Sequence, residues 1–406
     1  MSLEVPKKLK PFVQQAHMVA EQVLRPISRK YDRAEHAYPK ELDLLAALME
    51  GAGEAGGLNG AGAGASSGGS KKKKKETRDG VKNGSNLATV LGVMEMCWGD
   101  VGLLLTIPRQ GLGNAAIAAV ANEEQKKRFG DKWAAMAITE PGAGSDSAAI
   151  RTRAVLDGDE WVLNGEKIFV TAGERADAVV VWATIDPEQG RAAIKSFVVE
   201  KGTPGMEVVR LDHKMGIRAS DTAVIAFNDC RIPKDNILGS PEIDTKKGFA
   251  GVMQTFDNTR PMVAAMAVGV ARASLELTRK VLEKRGIRPD YRKSRWSMSA
   301  AEAELCRLEA ELDASRMMTM KAAWMADNGI PNSMEASMAK AKAARVGNEI
   351  TLRCVELVGA AAYGERLLLE KWARDSKILD IFEGTQQIQL LIVARRLLGL
   401  SSRELR

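Results

Sequence analysis

The chain has 406 residues, is 45% hydrophobic and carries a net charge of +7 at neutral pH, a length that supports roughly two or three hydrophobic cores. The positive excess is interspersed apart from one run, Lys71–Lys75; it argues against nucleic acid as a partner and suits a small anionic substrate. Four isolated cysteines (Cys97, Cys230, Cys306, Cys354) and three histidines point to neither a disulfide framework nor a metal centre. The lack of a signal peptide or of any ~18-residue apolar run reads as cytoplasmic with no membrane insertion.

Helical spacing opens the chain. Val13, Met18, Val19 and Val23 share a face, and a second helix is expected from Lys40 to Met49. Residues 51–85 break the pattern: Gly51–Ser70 is almost entirely Gly, Ala and Ser, with the lysine run behind it. Such a stretch buries too little apolar surface to offset its ordering entropy, so a mobile loop is expected. Helical pattern resumes from Leu87 to about Arg128, closing an N-terminal helical domain over 1–132. From Trp133 the runs become short and rich in Val, Ile and Thr. Ala178–Trp182 and Thr222–Phe227 read as strands, and Gly158-Asp159 marks a hairpin. A β-domain is therefore expected over 133–240. Long helical patterns return over 241–406, including Ala301–Asp327 and Met334–Val358.

Two segments carry chemistry. Phe382-Glu383-Gly384-Thr385 places a carboxylate between two apolar helical runs. Buried without a partner, such a group resists ionising and becomes a base matched to neutral pH. The same residues also fit a helix end, with Gly384 terminating one helix and Thr385 capping the next. Thr139-Glu140-Pro141-Gly142-Ala143-Gly144-Ser145-Asp146 follows an expected strand, and its glycines permit close backbone approach to a flat or phosphorylated ligand.

The octapeptide resembles the flavin signature of acyl-CoA dehydrogenases, and the Phe-Glu-Gly-Thr segment resembles their catalytic glutamate motif. Asn164–Thr171 and Phe256-Asp257-Asn258-Thr259-Arg260-Pro261 also match, as do Lys214–Arg218, Arg374-Asp375 and Lys377-Ile378. The resemblance spans nearly the whole chain except 51–85 and about 285–305. It implies an N-terminal helical domain, a central β-domain and a C-terminal four-helix bundle. It further implies FAD as cofactor, held by Ile138, Thr139, Gly144, Ser145, Phe169, Val170, Thr171, Thr385 and Gln387. Acyl-CoA would meet Ser145, Asp257, Arg260, Gly384 and Arg395. Glu383 would remove the α-proton while hydride passes to flavin N5, giving a trans-2-enoyl-CoA. No metal is implied, and an electron-transfer flavoprotein would be the acceptor. Other readings are an acyl-CoA oxidase using O2, or an accessory subunit.

The chain departs from the pattern in places. Phe169 stands where the family usually has Trp, and Pro108 where the medium-chain enzyme has a Glu at the pocket floor. The Arg-x-x-Phe-Gly motif, which reaches a neighbouring subunit's FAD, is replaced by Glu283–Asp290. Its Gln-x-x-Gly-Gly segment is replaced by Glu356-Leu357-Val358-Gly359-Ala360. A homotetramer in which Arg285, Arg288, Arg292 or Arg295 takes over, or a hetero-oligomer with a homologous chain, would each complete the site.

Overall fold

The computed structural model describes residues 4–54, 84–109, 111–243, 250–401 and 404. The first helices are α1 (Lys10–Val19), α2 (Arg25–Arg33) and α3 (Glu41–Glu54), followed by α4 (Ser85–Gly99), α5 (Val101–Leu104), α6 (Leu112–Val120) and α7 (Glu123–Phe129). Helix α3 runs to Glu54, into the segment expected as loop, and its first turns bury Leu42, Leu45 and Ala46. The low-complexity stretch itself, 55–83, lies outside the described residues. The single pattern expected from Leu87 to Arg128 is interrupted at Asp100, whose carboxylate accepts from Leu103 N (2.8 Å) and starts a new helix.

The β-domain comprises β1 (Ala134–Ala137), β2 (Arg153–Asp157), β3 (Glu160–Thr171), β4 (Ala178–Thr184), β5 (Ile194–Glu200), β6 (Met206–Leu211) and β7 (Thr222–Pro233). The order is β1-β4-β2-β3-β7-β6, with β5 paired to β4. Every residue of β4 is buried, which explains its unbroken apolar sequence. β2 and β3 form the hairpin expected at Gly158-Asp159, with Gly158 at φ 62°.

The chain ends in α8 (Ala250–Glu283), α9 (Ala300–Asp327), α10 (Ser333–Val358), α11 (Ala360–Tyr363), α12 (Leu369–Ser376) and α13 (Gln386–Leu398). α8 packs on α4 closely enough that a Cβ on Gly269 would lie 2.4 Å from Met94 O. One buried charge cluster ties the layers together. Lys371 Nζ on α12 donates to Asp100 (2.7 Å) and Asp375 (2.5 Å), and Asp375 also accepts from Ile217 N (2.6 Å) in the loop after β6. Those carboxylates hold Lys371 protonated against the cost of burial. The cluster fixes α12, which leads into the turn before α13.

Candidate active site

The turn Ile381–Thr385 presents Glu383 in a left-handed conformation (φ 54°), with Gly384 at φ 88°. A non-glycine residue there carries strain of about 1–3 kcal/mol, so its surroundings must impose it. They do so through the main chain. Lys340 Nζ donates to Gly384 O (2.7 Å), and Gln389 Nε2 donates to Glu383 O (3.3 Å) and Gly384 O (3.2 Å). At φ 88° a side chain on Gly384 would be strained, and its Cβ would also lie 2.5 Å from Gln389 Nε2, so glycine is favoured here. Thr385 accepts from Ile388 N (3.4 Å) and caps α13. The helix-end reading and the base reading therefore describe the same residues.

The residue as a whole is half-buried, yet Glu383 Oε2 is shut from solvent and accepts no hydrogen bond. Burial raises the carboxyl group above its ordinary range. A hydrogen bond from Thr259 and the charges of Lys340 and Arg260 oppose that rise without cancelling it. Arg260 is itself 3% exposed and belongs to the interior. The helix carrying it runs Ala250–Glu283, and Pro261 lies inside it. The Asp257 side chain lies outside the described residues. Arg395 sits near the far end of α13, ten residues past Thr385 and roughly 15 Å along the axis at 1.5 Å per residue. The structure therefore does not place Arg395 beside Glu383. Neither Lys340 nor Gln389 was marked by the sequence motifs; a lysine inside the apolar face of α10 was the available signal for the first.

A second constellation lies in the β-domain. The register of β3 against β7 shifts between Lys167 and Val170, and this bulge carries Ile168 and Phe169. Phe169 adopts φ 58° and is 63% exposed, while Val170 is fully buried. Bulges re-aim side chains in this way. Ile168 N donates to Thr139 O (2.9 Å), which sets the glycine loop 139–146 beside Phe169 and Thr171. Beneath the loop, Lys167 Nζ donates to Ile138 O (3.1 Å) and Glu140 Oε1 (2.7 Å), and Glu140 also accepts from Arg151 N, Thr152 N and Thr152 Oγ1. Gly142 and Gly144 face open space, and Gly144 and Ser145 are exposed. An outward aromatic ring beside an open glycine loop on a rigid base fits a flat ring system. Gln387 is exposed on the first turn of α13.

Among the described residues one further group has metal-ligand character: Glu35, His36 and His213, whose ligand atoms lie within 4.8 Å of one another. Burial works against ionised Glu35, but Lys214 N, His213 and Arg218 outweigh it and bring Glu35 down to about 2. A carboxylate already held by Arg218 is a poor cation ligand, and this group reads as a clasp between the α2–α3 and β6–β7 connections.

The chain matches three family models in sequence. They are the acyl-CoA dehydrogenase N-terminal domain over residues 7–137, the middle domain over 135–230 and the C-terminal domain over 246–398. The mitochondrial short-chain specific acyl-CoA dehydrogenase of Rattus norvegicus is 32% identical, covering 98% of this chain and 92% of its own length. Butyryl-CoA dehydrogenase from Megasphaera elsdenii has a similar structure, with a TM-score of 0.82 at 30% identity over 98% of this chain and all of that one. A chain from a structural study of the electron transferring flavoprotein of Acidaminococcus fermentans gives 0.81 at 31% identity over the same share of each.

Proposed function

Because the chain belongs to the acyl-CoA dehydrogenase family of FAD-dependent oxidoreductases, we propose that it dehydrogenates an acyl-CoA thioester between Cα and Cβ, with Glu383 as the base. The observation that carries this reading is the shielded, unpartnered Oε2 of Glu383. A carboxylate whose proton affinity is raised by burial abstracts a weakly acidic α-proton better than a solvated one. Thr259, Lys340 and Arg260 keep the group ionisable rather than permanently protonated. The Glu383 N–H is the protein donor proposed for the thioester oxygen as negative charge develops there.

The β-domain constellation fits FAD: Phe169 would lie against the ring, the loop containing Thr139, Gly144 and Ser145 along its edge, and Thr171 beside it. Bound FAD supplies the two-electron acceptor for the β-hydride. Asp257, Gly384 and Ser145 are proposed contacts of the thioester and CoA, and Thr385 and Gln387 of the cofactor. The names of relatives make short-chain esters the first substrates to try, and an electron-transferring flavoprotein the first acceptor. Fatty acid β-oxidation in the cytoplasm is the setting proposed for this activity.

For assembly, one observation favours a homotetramer over a hetero-oligomer. Arg285 Nη1 donates to Val358 O (2.9 Å), so the two divergent stretches meet, and Arg353 pairs with Glu356. Arg285 is thus available at the altered segment, and the negative charge of Glu356 is offset. Native mass spectrometry with flavin quantitation tests this; a chain that holds FAD only with a second homologous chain present would favour the hetero-oligomer. The activity itself is tested by adding butyryl-CoA anaerobically to the purified holoprotein. Flavin bleaching with formation of the trans-2-enoyl-CoA is expected. No bleaching with acyl-CoA of any chain length would overturn the reading, and rapid reoxidation in air would favour an oxidase.

A further inference from the structure

The C-terminal bundle encloses a lysine that the resemblance did not mark. Lys340 is fully buried on α10, where an ammonium group is costly unless its charge is used. Lys371, the other buried lysine of this bundle, clasps two carboxylates directly. Lys340 instead spends its hydrogen bond on a main-chain carbonyl, Gly384 O, at 2.7 Å, and no salt bridge to it occurs among the described residues. Its charge nevertheless acts on Glu383 and on Asp380, whose Oδ1 is also buried without a partner.

We propose that Lys340 is a positioning residue for Glu383: it clamps the strained turn through Gly384 O and supplies, at a stand-off, the positive charge that makes the buried carboxyl ionisable. This rests on the reading of Glu383 as the base. The stand-off matters chemically. A lysine bonded directly to Oε2 would stabilise the carboxylate but occupy the atom that must accept the proton. A lysine held by the neighbouring carbonyl contributes its field and leaves Oε2 open. The strain at Glu383 supports the same reading, since the clamp and Gln389 together hold the turn that no sequence preference would adopt.

The charged and polar groups acting on this pair are Glu383 and Asp380 from the turn and the segment before it, Thr259 and Arg260 from α8, and, through Asp380, Arg345 of α10 itself and Lys377. Burial lowers Lys340 to about 8, with Glu383 and Asp380 opposing and Arg260 assisting. As pH rises through about 8 the ammonium charge is lost, and proton affinity at Glu383 rises in response.

The test is the protonation of Glu383 in the purified holoenzyme, followed by infrared difference spectroscopy with the carboxyl band assigned by its loss in E383Q. K340Q keeps a donor for Gly384 O without the charge, K340M removes both, and K340R keeps the charge. K340Q and K340M are expected to retain FAD and to shift the titration of Glu383, and the acid limb of flavin reduction, upward by about one pH unit or more, a tenfold change in the ionised fraction. K340R is expected to restore the wild-type position. A K340Q titration coinciding with wild type would overturn the proposal and leave Lys340 a structural clamp. Should K340Q and K340M fail to fold, the Lys340 side-chain resonance in wild type and E383Q decides: its titration should move down without the Glu383 charge, and an unchanged titration overturns the proposal. These readouts need no turnover, so an active E383Q would remove Glu383 as the base without touching the Lys340–Glu383 coupling.

Discussion

Glu140 in the β-domain and Glu383 before α13 are two shielded carboxylates treated in opposite ways. Glu140 receives four hydrogen bonds from Arg151 N, Thr152 N, Thr152 Oγ1 and Lys167 Nζ, at 2.6, 2.9, 2.6 and 2.7 Å. Burial tends to raise it, yet Lys167 and Thr152 prevail and hold it below its ordinary range. Glu383 has one oxygen without a partner, a strained backbone, and a carboxyl group raised above that range. A satisfied carboxylate is a fastener and can do no proton chemistry. An unsatisfied one costs stability, and the cost is tolerated where the group reacts.

The largest expected effect separates the two at once. E383Q should retain FAD and bind acyl-CoA, but reduce its flavin ~10²–10⁴-fold more slowly in anaerobic stopped-flow mixing, the usual contribution of a general base. Near wild-type reduction would end the claim that the orphaned oxygen is the reactive one. The same variant should be more stable than wild type at alkaline pH. A carboxyl whose folded pKa is raised contributes stability below its unfolded value and loses it as pH rises through the folded value, and glutamine has no such charge to bury.

K167M is the counterpart in the β-domain. It strands Glu140 without its cation, and removing one partner of a buried pair costs about 3–5 kcal/mol. Chemical denaturation should show that loss together with weaker FAD retention, because Lys167 also holds Ile138 O beneath the glycine loop. The pH window is opposite to that of Glu383. Glu140 is lowered in the fold, so its contribution is present above the unfolded carboxylate value and lost as pH falls through the folded one. The deficit of K167M should therefore be largest near neutral pH and shrink as pH falls through the folded value of Glu140, a convergence not expected in E383Q. A K167M deficit that stayed constant from neutral to acid pH would erase the distinction drawn between the two glutamates.

Much of this was legible in the sequence, for identifiable reasons. The β-domain was visible because β4 is apolar throughout and the Gly158 turn has a strong local signal. The proposed base stood out because Glu-Gly-Thr is an unusual thing to place between apolar runs. The positive φ at Glu383, the bulge at Ile168–Phe169 and the start of α8 were not visible. The first two are imposed by tertiary partners, Lys340 and Gln389 on the turn and Thr139 on the bulge, while α8 runs through Pro261 against the usual helix-stop tendency before a proline. Arg395 was assigned by motif alignment, and only the length of α13 shows how far it lies from Thr385. Thr259 was marked only as part of the matched segment Phe256–Pro261; the structure gives it a task, donating to Glu383.

That task defines a smaller test. T259V deletes the hydroxyl with little change of shape. A hydrogen bond to a charged group contributes about 1.5–3 kcal/mol, so its loss should raise the acid limb of flavin reduction by about one unit or more while the rate at the alkaline plateau stays close to wild type. If instead the plateau rate fell with no shift of the limb, Thr259 would be acting on geometry rather than on proton affinity.

The smallest effect expected is at Phe169. The residue is 63% exposed, so truncation removes little packing from the fold, and F169A should change the stability of the apoprotein by no more than about 0.5 kcal/mol. The backbone stays at a positive φ in both, so strain does not enter the difference. What the ring loses is its contact with a flat ligand, and aromatic stacking contributes about 0.5–1.5 kcal/mol, or roughly 2–12-fold in FAD affinity. Measured by fluorescence titration of apoprotein with FAD, that loss should appear in F169A and be recovered in F169W. If F169A destabilised the apoprotein and left FAD affinity unchanged, the exposed ring would be part of the β-domain core, and the bulge at Ile168–Phe169 would have no ligand to serve.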